Sequence, residues 1–154
     1  FRDDIQKLIG YIQDRDISFK DIEGYAWALE QGEEKGFHCH LLLIYNGALR
    51  QNDYHFADQV IKRWKEIAGQ RGYGFNCNTS GHKDQFRRYE KLGVGMIHRD
   101  NAKEVENALN TCSYLVNPEK TNQYLRVKLR NMRTFGTGHY QRNYRRYGSK
   151  PRNF

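Results

Sequence analysis

The stretch GYAWALEQGEEKGFHCHLLLIY, residues 24–45, decides how this chain folds. Gly24 to Leu29 is rich in aromatic side chains and reads as a strand. Gln31 to Gly36 (QGEEKG) reads as a turn, Phe37 to Tyr45 as a second strand, and Asn46-Gly47 ends it. Two such strands across one short turn form a hairpin. Side chains alternate along a strand, so His38 and His40 share a face, with Cα atoms about 6.8 Å apart. If the hairpin turns through Glu33 to Lys35, Glu30 stands opposite His38 on that face. Two imidazoles and a carboxylate then converge. Such a set suits Mn²⁺ or Mg²⁺ and leaves positions open for substrate, and zinc is chemically possible too. The plainer alternative is two surface histidines on a half-buried strand. His98, in a segment read as a strand, is a lesser candidate ligand.

Outward from the hairpin, residues 3–14 carry Ile5, Leu8, Ile9 and Ile12 at helical spacing. Residues 56–68 form an amphipathic helix with Phe56, Val60, Trp64, Ile67 and Ala68 in its stripe. Residues 69–92 are ambiguous, and a strand over 73–77 followed by a loop is the best reading. Residues 93–98 read as a short strand. Residues 101–116 read as a helix with Val105, Leu109, Cys112 and Val116 inward, stopped by Pro118. The segment RTFGTG, 133–138, reads as a turn or strand entry. The order predicts an α+β domain, its central antiparallel sheet flanked by helices that pack on one face.

A length of 154 residues suits one domain. A first residue other than Met suggests a piece of a longer protein. Mean hydropathy is −0.96, and the longest apolar run, Leu41 to Ile44, is far too short for a membrane span. Cys39, Cys77 and Cys112 are too few and too scattered for a disulfide framework, which favours a reducing compartment. A zinc site from Cys77 and His82 lacks partners at usable spacing.

Charge is unevenly placed. Residues 1–119 hold 16 Lys/Arg and 18 Asp/Glu, or −2, whereas residues 120–154 hold 10 Lys/Arg and no acid, or +10, making the total of +8. Tyr124, Tyr140, Tyr144 and Tyr147 interleave with those cations. Cations neutralise phosphates and aromatic faces stack on unpaired bases, so this segment points to nucleic acid. Arg126, Lys128, Arg130, Arg133, Tyr140, Arg142, Arg145 and Arg146 are the candidate DNA contacts, and 139–154 reads as a basic aromatic extension of a domain spanning 1–138. A basic tail serving solubility is the alternative.

Tyr114 falls on the helical wheel opposite the stripe, among Lys103, Asn107, Asn110 and Asn117. From the wheel alone it is an ordinary exposed tyrosine. A phenol with a pKa near 10 is a weak nucleophile at neutral pH, but a nearby cation or metal favours its ionised form.

GFHCHLLL (36–43), the helix entering Ser113-Tyr114-Leu115, the following Glu119-Lys120-Thr121 and Arg133-Thr134-Phe135-Gly136 together resemble the HUH endonuclease superfamily. More closely, they resemble inovirus-type and prophage rolling-circle replication initiators, over about residues 24–138. The resemblance implies an RRM/ferredoxin-like arrangement with the metal-binding histidines on a middle strand and the tyrosine on a nearby helix. His38 and His40 match the paired ligands and Tyr114 the nucleophile. The implied reaction nicks single-stranded DNA at a replication origin, leaving a 5′-phosphotyrosine and a free 3′-hydroxyl, and can rejoin strands. The implied setting is the cytoplasm of a bacterial cell or phage-infected host, with host replication machinery as a further partner. The family usually has a lysine three residues after the tyrosine. Here that place is Asn117, with Lys120 the nearest following cation, and both are candidate catalytic residues.

Two other readings compete. Gly32 followed by His38-x-His40 fits the opening of a cupin-like metal oxidase, but no Glu follows at the expected distance and the short strands of a jelly roll are absent. A non-catalytic nucleic-acid-binding domain accounts for the charge and leaves the histidine pair unexplained.

Overall fold

A computed structural model describes residues 1–32, 36–116, 130 and 132–140. Helix α1 (Arg2–Gln13) is followed by strands β1 (Ile22–Gly32) and β2 (Gly36–Tyr45), helices α2 (Asp53–Ala68), α3 (Ser80–Arg87) and α4 (Ala102–Ser113), a 3₁₀ turn over Tyr114–Val116, and strand β3 (Phe135–His139). The strands form one antiparallel sheet in the order β2-β1-β3. The architecture is α+β, a sheet flanked by helices, as the sequence predicts.

Alternation along the hairpin divides the sheet into two unlike faces. Tyr25, Trp27 and Leu29 of β1 and Cys39, Leu41 and Leu43 of β2 point one way. They pack on Ile5, Leu8 and Ile12 of α1, Val60 of α2, and Phe19. Those α1 positions recur at i, i+3 and i+7, one stripe of a helix. The opposite face carries Gly24, Ala26, Ala28 and Glu30 beside His38, His40, Leu42 and Ile44.

Strand β3 completes the sheet on the other side of β1, pairing Tyr25 with Gly138 and Trp27 with Gly136. Its alternating glycines have a steric cause. A Cβ at Gly136 would sit 2.6 Å from the Trp27 ring, and one at Gly138 2.4 Å from the Tyr25 ring. The two large rings lie over β3, so only glycine lets the strand approach. Of the two readings of 133–138, turn or strand entry, the strand is the one that forms. The ladder runs on to Tyr140, whose N–H donates to the Glu23 carbonyl, so residue 139 belongs to the sheet.

Three other expectations fail. Residues 73–77 are not a strand: the Trp64 indole donates to the Tyr73 carbonyl, and Gly74 lies so close to Ile61 that a Cβ would be 2.9 Å from it. The segment follows α2 as irregular chain. Residues 93–98 are not a strand either, because Gly95 takes φ +101°, outside extended geometry. Helix α3 was unexpected, since SGHKDQFR has no apolar stripe. Its signal is the Thr79 cap, which accepts from the His82 amide.

Helix α4 turns its wheel around. Its Asn101 cap accepts from the Lys103 and Glu104 amides, but Asn107 is the residue it buries, bonded to the Glu90 carbonyl. Leu109 and Val116 are 63% and 58% exposed. The polar flank grips residues 90–93, where Gly93 lies against Asn107 and Thr111. The apolar flank looks across an open groove to the histidine-bearing face of the sheet. Helices thus lie on both faces, not one.

Candidate metal centre

β1 and β2 pair Glu30 with His38 and Ala28 with His40. That is the register the turn at 33–35 predicts. Glu30 Oε2 lies 3.3 Å from His38 Nε2 and 3.1 Å from His40 Nε2. One donor atom from each of the three falls within 4.8 Å of the others, and among the described residues this is the one group of three or more such side chains. Metal bonds of about 2.0–2.2 Å to N and O donors place neighbouring donors roughly 3 Å apart, so the spacing matches a shared ion.

The surroundings favour ligation in two further ways. Glu30 is only 7% exposed, and a buried carboxylate needs strong partners. The His38 Nδ1 lies 3.2 Å from the Gly36 carbonyl. A carbonyl only accepts, so donation from Nδ1 to it would leave Nε2, the atom that faces Glu30, free to hold an ion. Cys39, between the two histidines, points to the core. Burial pushes its thiol up to about 12, and the side chain packs on the core outside the Glu30, His38 and His40 group.

The sheet topology departs from what the resemblance implies. The described middle strand is β1, which carries Glu30, whereas both histidines lie on β2 at an edge of the described sheet. His98 is exposed and outside the cluster, its amide held by Glu104. His82 packs between Phe75 and Phe86 rather than joining Cys77 at a metal.

Tyr114 is brought to the site from far along the chain. The α4 helix ends at Ser113, and Tyr114 opens the 3₁₀ turn that touches β1. Its ring meets that of His40 edge-on, with centroids 5.4 Å apart at 90°. The side chain is 47% exposed, so it adjoins the centre and still faces solvent. Asn117 and Lys120 lie outside the described residues.

On the same face of the sheet a groove of about 560 Å³ runs between the strands and α4. Leu42, Ile44, Leu109, Leu115, Phe135 and His139 contribute to its walls. Sequence reasoning missed it because a helical wheel gives a helix's polarity and not its distance from a sheet.

Of the candidate DNA contacts, Arg130 and Arg133 are exposed. Tyr140 is partly buried and packs against the core. Its hydroxyl donates to the Ile12 carbonyl, its ring leans on Tyr25 and the Arg15 guanidinium covers it at 4.1 Å. Arg126, Lys128, Arg142, Arg145 and Arg146 lie outside the described residues. No described helix is long and apolar enough to cross a membrane. No family model, curated protein or solved structure matches the chain.

Proposed function

We propose that this chain is a metal-dependent endonuclease that nicks single-stranded DNA with Tyr114 as nucleophile, in the manner of a rolling-circle replication initiator. The observation that carries this reading is the packing of Tyr114 on His40, one of two imidazoles that share the Glu30 carboxylate. A phenol, a divalent-metal donor set and solvent access meet at one point.

Glu30, His38 and His40 hold the ion, Mn²⁺ or Mg²⁺, which supplies Lewis-acid polarisation of a phosphoryl oxygen when bound. The Tyr114 hydroxyl gives up its proton and its oxygen attacks phosphorus. The bond from phosphorus to the 3′-oxygen breaks, and that oxygen takes a proton. The 5′-phosphate stays on Tyr114 and a free 3′-hydroxyl remains to prime synthesis. The phosphotyrosine linkage retains the energy of the broken bond, so the reverse attack by a 3′-hydroxyl rejoins the strand without ATP. Asn117 and Lys120 follow Tyr114 as the proposed phosphate contacts, and the basic segment from residue 120 onward as a contact for the DNA backbone.

The test incubates the protein with single-stranded origin DNA and Mn²⁺ and looks for a protein–DNA adduct that survives a denaturing gel. The adduct should form in the wild type and vanish in Tyr114→Phe. An adduct that persists in Tyr114→Phe removes the tyrosine assignment, and no cleavage under varied metals and sequences favours a binding domain instead.

A further inference from the structure

Residues 71–91 form a second region with the character of a nucleic-acid surface. They hold five Lys/Arg against two Asp/Glu, or +3, while the rest of residues 1–119 holds 11 against 16, or −5. The near neutrality of that long stretch hides a local excess.

Aromatic exposure is concentrated in the same place. Tyr73 and Tyr89 are 80% and 74% exposed, and Phe75 and Phe86 are also exposed. Phe75 packs on His82 at 5.3 Å and His82 on Phe86 at 5.1 Å, so the rings form a continuous row. Phe86 is one turn after His82 on α3, and Tyr89 follows just past the end of the helix. The Tyr89 amide donates to the Phe86 carbonyl, which fixes Tyr89 near the row.

The helix beneath is held in place without using the rings. Lys83 pairs with Asp53 in the first turn of α2, and Thr79 caps α3. Cations border the row. Arg87 reaches only Asp84 on the same helix, and among the described residues neither Arg88 nor Lys91 has an acidic partner. A row of large rings ordered in the free protein has little side-chain entropy left to lose on binding.

We propose that Phe75, Phe86 and Tyr89, with Arg87, Arg88 and Lys91, form a second contact surface for single-stranded DNA outside the metal centre. Unpaired bases stack on ring faces while neighbouring cations meet the phosphates, whereas a duplex keeps its base faces covered. A protein partner could use the same rings, but the local excess of +3 favours a polyanion over it. The surface is anchored through α2, whose Phe56 stacks on Tyr45 at the end of β2. That end lies about 23 Å along the strand from His38. The choice of DNA as ligand rests on the nuclease reading, but the test does not require cleavage.

The test measures binding of the full chain, as Tyr114→Phe in EDTA, to a fluorescent oligo(dT) of about 30 nucleotides and to a duplex of similar length. Phe86→Ala/Tyr89→Ala should weaken single-strand binding about tenfold and leave duplex binding unchanged, with the melting temperature preserved. Arg88→Glu/Lys91→Glu should flatten the slope of log affinity against log salt by about 1 to 2. Should the aromatic double variant fail to fold, Tyr89→Ala alone, at its exposed position, should still lose about threefold or more. Unchanged affinity, an equal loss for duplex, or loss of self-association in place of DNA affinity overturns the proposal. Failure to form an adduct in active protein overturns the nuclease reading alone.

Discussion

The two faces of one hairpin divide the work of this molecule. On the first face Tyr25, Trp27 and Leu29 are buried in the core beside α1 and α2, with Cys39 and Leu41 packed against them. On the second, separated by a single step of the same backbone, Glu30, His38 and His40 converge while α4 stands off and leaves a groove. Cys39 shows how sharp the division is: its neighbours on both sides are metal-type donors, yet its own thiol is buried in the core. Period-two alternation lets a packed core and a candidate metal centre use residues next to each other in sequence without sharing an environment. The first face is expected to govern folding, and the second activity. Substitutions that separate these two quantities probe the division directly.

The largest separation should come from the second face. His40→Ala and Glu30→Gln should each lower DNA cleavage at saturating Mn²⁺ by about a thousandfold or more, about 4 kcal/mol of transition-state stabilisation. The thermal midpoint without metal should move little in His40→Ala, because that side chain is half-buried at the surface. Loss of folding in parallel with loss of cleavage, read by near-ultraviolet circular dichroism, would show that the centre is structural. Trp27→Ala is the counterpart on the first face. Removing its buried ring should cost about 3–5 kcal/mol in urea unfolding, while surviving folded protein should still bind metal.

Metal addition probes the same division from outside. Mn²⁺ at a hundred times its Kd should stabilise the fold by about 2.7 kcal/mol, and chelation should reverse the gain. In Glu30→Gln the gain should shrink, because a neutral amide is a poor donor to a hard cation. An equal gain in that variant would mean that the ion binds elsewhere.

Where the sequence was readable, the signal was local. The hairpin register follows from strand period and turn position, and with it the meeting of Glu30 with His38 and His40. The expectations that failed depend on contacts between distant segments. The segment 133–138 reads equally as a turn or a strand entry until Trp27 and Tyr25 are seen lying over Gly136 and Gly138. The α4 wheel assigns Asn107 to solvent, yet the residues around Glu90 and Gly93 take that flank and satisfy the amide. The meeting of Tyr114 with His40 joins positions 74 apart, and no local pattern encodes it.

Gly138→Ala tests the steric reason for the glycines of β3. The new methyl would meet the Tyr25 ring, which is held by Gln13 at its hydroxyl and by Tyr140 at its face. Overpacking of this kind costs about 1–3 kcal/mol. A loss below about 0.5 kcal/mol would mean that the ring yields, and the glycine would need another reason.

The smallest effect should come from Tyr45, on the core face at the end of β2 farther from the histidines. Its hydroxyl donates to the Ser18 carbonyl at 2.9 Å, joining the strand to the turn before β1. Tyr45→Phe removes that bond and keeps the ring on Phe56, so it should cost about 1 kcal/mol at neutral pH. Burial pushes the phenol up to about 12, above its ordinary value of 10.0. The folded state therefore holds this proton more tightly than the unfolded state does. The stabilisation linked to that proton is intact below pH 10 and is lost as pH rises from about 10 toward 12. Urea midpoints across that window should fall more steeply in the wild type than in Tyr45→Phe. Parallel decline in the two proteins would assign the alkaline loss to other groups and leave Tyr45 with only its hydrogen bond.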